Sequence, residues 1–379
     1  MKIEQKFYSP SKGWKILSNS LNANDIDLVM IFGSTGLIKD ATLINEISSK
    51  YATAEIIGCS TSGEIIGNHV NDDTLTVTAI KFEKTQIKSM TAVVKHSDDS
   101  FEVGKLIAEK LSAPNLKHLF LLSDGLQVNG SELASGLKQH LPKNVSVTGG
   151  LAGDGARFGE TFVINKNEIN KNTVTAIGFY GDNIHFGFGS FGGWETFGIE
   201  RMVTKSHKNV LFELDGQPAL ALYKSFLGEK AKDLPASGLL FPLSIQIEKD
   251  QEPLVRTILA INETDQSITF AGDIPEGAKA KLMKATIDGL IEGAEKAAET
   301  SMIGLNGKSA ELAILISCVG RKLVMKQLVE EEVEGVAKQL STNTAITGFY
   351  SYGELSPFSN SGYCELHNQT MTITTITEA

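Results

Sequence analysis

One phrase occurs three times in this chain, and it limits what the chain can fold into. "IIGCSTSGEI" at 56–65, "VTGGLAGDGA" at 147–156 and "ITGFYSYGEL" at 346–355 each run from a buried strand pattern through small residues to an acid placed after a glycine. The acids are Glu64, Asp154 and Glu354. The preceding segments correspond as well. "SPSKGWKILSNSL", with Trp14, Leu17 and Leu21 at helical spacing, is followed by the strand "DLVMIFGSTG" and the helical "IKDATLINEISSKY". The second pass reads "SFEVGKLIAEKL", "HLFLLSDG" and "SELASGLKQHL"; the third reads "AKLMKATIDGLIEGAEKAAE", "LAILISCVGR" and "MKQLVEEEVEGVAKQL". After each phrase comes an alternating Thr-rich strand: "TLTVTAIKF", "NTVTAIGFYG" and "QTMTITTIT".

A strand, crossover helix and second strand make parallel neighbours, with the following loops on one edge, where ligands of such sheets collect. The Thr-rich strands are expected to add antiparallel, with one wetter face. The expected fold is therefore mixed α/β: three helix-strand-helix-strand units with antiparallel Thr-rich strands. Between units two and three, about Trp194 to Asp273, an unrepeated stretch of short strands, one helix and turns reads as an inserted α+β lobe.

A chain of 379 residues, 41% hydrophobic, can bury a large core. Its formal net charge of -10 argues against nucleic acid, whose backbone draws on clustered Lys and Arg. No apolar run is long enough for a membrane span, and "MKIEQKFYSPSKGWK" lacks the apolar core of a signal peptide, so a cytoplasmic address and no membrane insertion are expected. Cys59, Cys318 and Cys364 are scattered without a CxxC, and reduced thiols are the default.

Each acid after its glycine has two readings: a cap for its own turn, or one of three carboxylates gathered on one edge to meet an ammonium or guanidinium. Glu354, set among Tyr350, Tyr352 and Pro357, suits an apolar ligand with a cationic head. Cys59 and Cys318 are better read as buried thiols than as nucleophiles, while Arg321 beside Cys318 is an anion contact candidate. "CELHNQT" does not make a metal site, because Cys364 and His367, three apart on a strand, point to opposite faces. "GLNGKS" has the wrong spacing for a phosphate loop, and no HExxH or GxSxG occurs.

"GCSTSGEI", "GGLAGDG", "DGQPALALYKSFLG", "SCVGR", "GFYSYGELSPF" and "CELHNQTMTITTITE" together resemble the FIST sensory proteins over nearly the whole chain. The resemblance implies an N-terminal region at 1–215, holding two units, and a C-terminal region at 216–379, holding the lobe and the third. It implies a non-enzymatic bacterial signal-transduction sensor that binds an amino-acid-like ligand between its halves and acts on a separate partner, such as a histidine kinase or chemoreceptor. The expected ligand contacts are Glu64, Asp154, Arg321, Tyr350, Tyr352, Glu354 and His367, with Trp194 and Arg256 from the lobe as weaker candidates. One alternative is the haem-binding, nitric-oxide-sensing subset of the family, with haem b held by His367 or His185. His69, His96, His118 and His140 read as residues of polar turns or element ends, and His207 lies in the polar "TKSHKN". The other alternative is a hydrolase using a strand-end carboxylate or thiol.

Overall fold

The computed structural model describes residues 1–18, 21–247, 253–358 and 362–379. The parallel pairs expected from the sequence are present. Leu28–Gly33 pairs with Glu55–Ser60, Leu116–Ser123 with Ser146–Leu151, and Leu312–Cys318 with Ala345–Ser351. The crossover helices are amphipathic, and Ala41–Lys50 and Gly130–His140 begin at Asp40 and Asn129, whose side chains accept two N–H groups of the first turn.

Each Thr-rich strand, Leu75–Lys81, Thr173–Tyr180 or Met371–Glu378, lies antiparallel to the first strand of its pair. Each is then covered by a further antiparallel strand: Lys2–Ser9, Gln86–Val93 or Ile184–Phe191. The Thr-rich strands are therefore interior, and the expectation of a wetter face is overturned. Their hydroxyls find internal partners instead. Thr374 bonds to Thr148 at 2.8 Å, and Thr372 to the Ile316 carbonyl at 3.1 Å.

After each parallel pair the chain leaves its own sheet and adds a strand to another. Glu64–Ile66 pairs with Ala345–Ser351, Val163–Asn165 with Glu55–Ser60, and Gly353–Pro357 with Ser146–Leu151. The exchange is cyclic, so three sheets are interlocked. The strand ends are also stitched in a ring. Gly153 N–H donates to the Ser60 carbonyl at 2.9 Å, Tyr352 N–H to Leu151 at 3.1 Å, and Ser62 N–H to Tyr350 at 2.8 Å. Gly149 and Gly348 hold φ of +153° and +159°, and a Cβ on either would strike the facing carbonyl of Leu121 or Leu315. That close approach explains the glycine at the head of the repeated phrase.

Phe32, Phe120, Ile316 and Phe349 meet in a core between the sheets, and each helix pair buries its apolar stripe on the outer face of its own sheet. The lobe is an eight-stranded sheet carrying the helix Ala219–Leu227, with its own core around Leu211, Leu220 and Phe270.

Two expectations are corrected. Trp14 lies on the short strand Gly13–Ile16, paired in a hairpin with Lys2–Ser9, rather than on a helix. Gly13, at φ +68°, supports that turn. The lobe also reaches further than Asp273: Lys279–Lys284 is one of its strands, pairing with Glu195–His207, and the third unit's helix starts only at Ile287. A β-bulge-rich pairing along Glu195–His207 joins the lobe's two halves.

Candidate functional site

The repeated acids serve the turns that carry them. Glu64 is buried and accepts from Thr61 Oγ1 at 2.5 Å and from Thr74 Oγ1 and N at 2.5 and 3.1 Å. Glu354 repeats this arrangement with Ser351 Oγ at 2.6 Å and with Thr370 Oγ1 and N at 2.8 and 3.3 Å. Thr74 and Thr370 stand immediately before their Thr-rich strands, so each acid pins that strand to the preceding loop. Burial raises both carboxyls, Glu64 to about 7 and Glu354 to about 8, despite the hydroxyls that favour ionisation.

Asp154 is not their counterpart. The strand register pairs Cys59 with Val163, Gly150 with Glu354 and Phe349 with Glu64, so Val163 takes the position in unit two. Asp124 does the pinning there, accepting from Asn172 N at 3.2 Å and Thr161 Oγ1 at 2.8 Å. Asp154 organises a loop of its own. Burial alone would raise it, but the Tyr352 hydroxyl and the N–H groups of Phe158, Gly159 and Glu160 hold it below its ordinary value.

Three of the expected contacts are consumed internally. Arg321 has no exposed surface; it holds Glu332 through Nε at 3.0 Å and a second nitrogen at 2.7 Å, and donates to the carbonyls of Gly192 and Leu290. It is a structural ion pair, and the anion-contact expectation is corrected. Tyr350, fully buried, donates to the other oxygen of Glu332 at 2.6 Å. His367 has both ring nitrogens engaged, with the Ser356 carbonyl at 3.0 Å and Ser190 Oγ at 3.2 Å, and burial lowers it to about 4. His185 faces the Lys308 ammonium at 3.1 Å. His118, expected at a solvated end, is buried and stacked on Phe186 at 4.2 Å between Ser146 and Thr148.

The loops of the body and the inner side of the lobe border a cleft in two adjoining compartments. One, of about 300 Å³, is walled by apolar groups including Leu239, Ile258 and Leu259 of the lobe and Val319 of the body, with Cys318 also in its lining. The other, of about 290 Å³, is lined by Asn129, Lys208, Asn209 and Asp273 among others. Leu126, Phe158, Leu259, Ala271 and Tyr352 border both. Phe158 sits at φ +51° with 43% of its surface exposed, its ring stacked on Tyr352 at 4.5 Å. An exposed aromatic held in the left-handed region marks a constrained surface at a site rather than core packing.

Direct bonds hold the lobe on the body around this cleft. Arg256, fully buried, donates to the Leu366 carbonyl at 3.0 Å, and Gln369 Nε2 to the Leu239 carbonyl at 3.2 Å. Asn129 Nδ2 meets Asp273 Oδ1 at 3.2 Å. Trp194 donates to the Gln369 carbonyl at 2.8 Å. Of the expected contacts, Tyr352 alone borders the two compartments; Cys318, read as packing, reaches one of them. Leu126 and Phe158 were missed because they lie in unrepeated loops, and Leu259 because it lies on a strand of the unrepeated lobe. The available signal was an apolar residue, Phe158, stranded in the polar loop "GDGARFGE".

The family comparisons cover the same architecture. The FIST N domain matches residues 27–217 and the FIST C domain residues 219–357, meeting within the lobe. An uncharacterized protein of Methanocaldococcus jannaschii, MJ1623, is 27% identical over 316 residues, covering 75% of this chain. The chain spans 58% of that relative's length. Among solved structures, a cyanuric acid hydrolase from A. caulinodans aligns with a TM-score of 0.19 at 9% identity, over 78% of this chain and 99% of that one. PurLQS from Thermotoga maritima aligns with a TM-score of 0.19 at 8% identity, over 94% and 67%. At these scores neither likeness bears on fold or chemistry. With both FIST domains matched across most of its length, this chain belongs to the FIST family.

Proposed function

We propose that this protein is a sensor whose ligand is a small molecule held in the cleft between lobe and body, and that occupancy changes how the lobe sits and so alters a separate signalling protein such as a histidine kinase or chemoreceptor. The observation that carries this reading is the cleft itself: two adjoining compartments with one wall from each part, bordered by the exposed Phe158 stacked on Tyr352. A ligand touching both walls binds the closed arrangement better than an open one, and that differential affinity is what a sensor needs. The lobe–body hydrogen bonds are polar contacts of side chains, the kind found between parts that adjust.

The other readings draw less support. A cationic head against Glu354 would have to reach a carboxyl that is fully buried and already satisfied. Haem ligation by His367 would require it to give up a carbonyl and a hydroxyl partner, and His185 presents its Nε2 to an ammonium, so these residues as arranged do not fit haem iron. For a hydrolase, Cys318 lies at the cleft, but burial pushes its thiol up, away from the reactive thiolate, and no histidine lines either compartment.

The test is a thermal-shift screen of amino acids, amines, alcohols and organic acids, followed by calorimetry and by NMR of the ligand itself. A sensor gives saturable binding and leaves the ligand unchanged. Turnover of amino-acid esters or amides would overturn the reading in favour of the hydrolase.

A further inference from the structure

We infer that the ligand is uncharged where it enters the apolar compartment, a neutral and largely hydrophobic molecule carrying a hydrogen-bond donor, rather than a zwitterionic amino acid or an organic ion; this rests on the cleft being the ligand site. Among the described residues, no Asp, Glu, Lys, Arg or His lines that compartment. An ion placed there would lose its water without gaining a counter-charge, and a charge in that position is strongly disfavoured.

The neighbouring compartment does not rescue an ion. Lys208 is paired with Asp98, and Asp273 is occupied by Asn129 through Oδ1 at 3.2 Å, with its carbonyl taken by Arg256 at 3.1 Å. Arg256 itself is fully buried and spent on carbonyls. A carboxylate or ammonium placed there would share these groups with partners they already have, and it would lie outside the apolar compartment.

The compartment still offers a polar anchor. Thr257 lines it, is only 5% exposed, and its Oγ1 has no hydrogen-bond partner among the described residues. A buried hydroxyl left unpaired is costly, and a ligand hydroxyl or amide N–H would satisfy it. At about 300 Å³ the space is at the small end of ligand pockets, which favours a molecule the size of one substituted ring or a short branched chain.

Four probes of one shape separate the possibilities: benzyl alcohol, toluene, benzylammonium and benzoate, titrated by calorimetry against the wild-type protein, Thr257→Val and Leu259→Trp. Thr257→Val keeps the shape and deletes the hydroxyl. Leu259, with 44% of its surface exposed, tolerates a larger side chain that fills the compartment. The expected result is that benzyl alcohol binds more tightly than either ion. Thr257→Val should weaken the alcohol by roughly three- to tenfold, leaving toluene unchanged, as the loss of one neutral hydrogen bond implies. Leu259→Trp should abolish both. Benzylammonium or benzoate binding as tightly as the alcohol, and lost in Leu259→Trp, would keep the cleft and overturn the neutral-ligand inference. An unchanged preference for alcohol over toluene in Thr257→Val would overturn the anchor. Binding that survives Leu259→Trp, or no binding of any probe, would overturn the cleft reading together with the inference.

Discussion

Glu354 and Glu64 show how a residue can recur for the sake of the fold and still carry a measurable chemical signature. In an unfolded chain each carboxyl titrates near 4.5, and in the fold near 8 and 7. The folded state therefore keeps protons that the unfolded state has lost. The stability this contributes is complete below pH 4.5 and is lost as pH rises through 7 and 8. His118 and His367, lowered to about 3 and about 4, act in the opposite sense, but only below their ordinary value of 6.5. The clean window is thus pH 6.5 to 8, where wild-type protein should lose on the order of 1 kcal/mol more stability per pH unit than Glu354→Gln, read from urea unfolding at the two pH values. A flat pH response in the wild type, combined with lost ligand affinity in the variant, would return Glu354 to ligand contact. Arg321 offers a second test at this scale. Arg321→Ala leaves Glu332 as an unpaired buried charge, so stability should fall by roughly 3–5 kcal/mol in chemical denaturation. An anion-binding arginine would instead show intact stability and weakened binding.

The exchanged strands make the repeated glycines the most demanding positions of the elements. Gly348→Ala puts a Cβ into the Leu315 carbonyl at φ +159°, and we expect a loss of more than about 2 kcal/mol, measured by urea unfolding. An alanine at the exposed Gly36, where a Cβ would meet nothing, is the matched control. The parallel pairs and Thr-rich strands were legible in the sequence because period-two alternation and runs such as "LAILIS" are set locally. The covering strands Gln86–Val93 and Ile184–Phe191 were not, since "QIKSMTAV" and the glycine-broken "IHFGFGSF" have weak strand patterns and gain their place only by pairing with a Thr-rich neighbour. Trp14 was misread for a related reason: three apolar residues at helical spacing outweighed the turn signal of Gly13. Nor could alternation reveal that the threonines face inward, because their hydroxyls are satisfied by strands far away in sequence. The cleft lay beyond local reading altogether. Its walls come from residues as distant in sequence as Leu126, Phe158, Leu259 and Tyr352, and only the strand exchange and the seating of the lobe bring them together.

At the scale of the whole molecule, three interlocked sheets form the body, and the lobe rests on the edge where the repeated loops converge. Interlocked support with a separately built cover is a suitable arrangement for turning a small binding event into movement. The bonds that cross between lobe and body, Arg256 to Leu366, Gln369 to Leu239 and Asn129 to Asp273, then set the resting position. Asn129→Ala removes one of them together with the cap of the helix Gly130–His140, so Asp273→Ala is the cleaner probe. It should shift ligand affinity by a few fold and lower global stability by about 1–3 kcal/mol, because it removes a lobe–body contact and also a charge that supports the buried Arg256. The most direct measurement of the central claim is hydrogen–deuterium exchange with and without the molecule giving the largest thermal shift. Ligand held between lobe and body should slow exchange at once in the Gly125–Asn129 loop on one wall and in the strand Ile258–Asn262 on the other. Protection confined to the body, or appearing only in the Gly13–Ile16 hairpin, would contradict it.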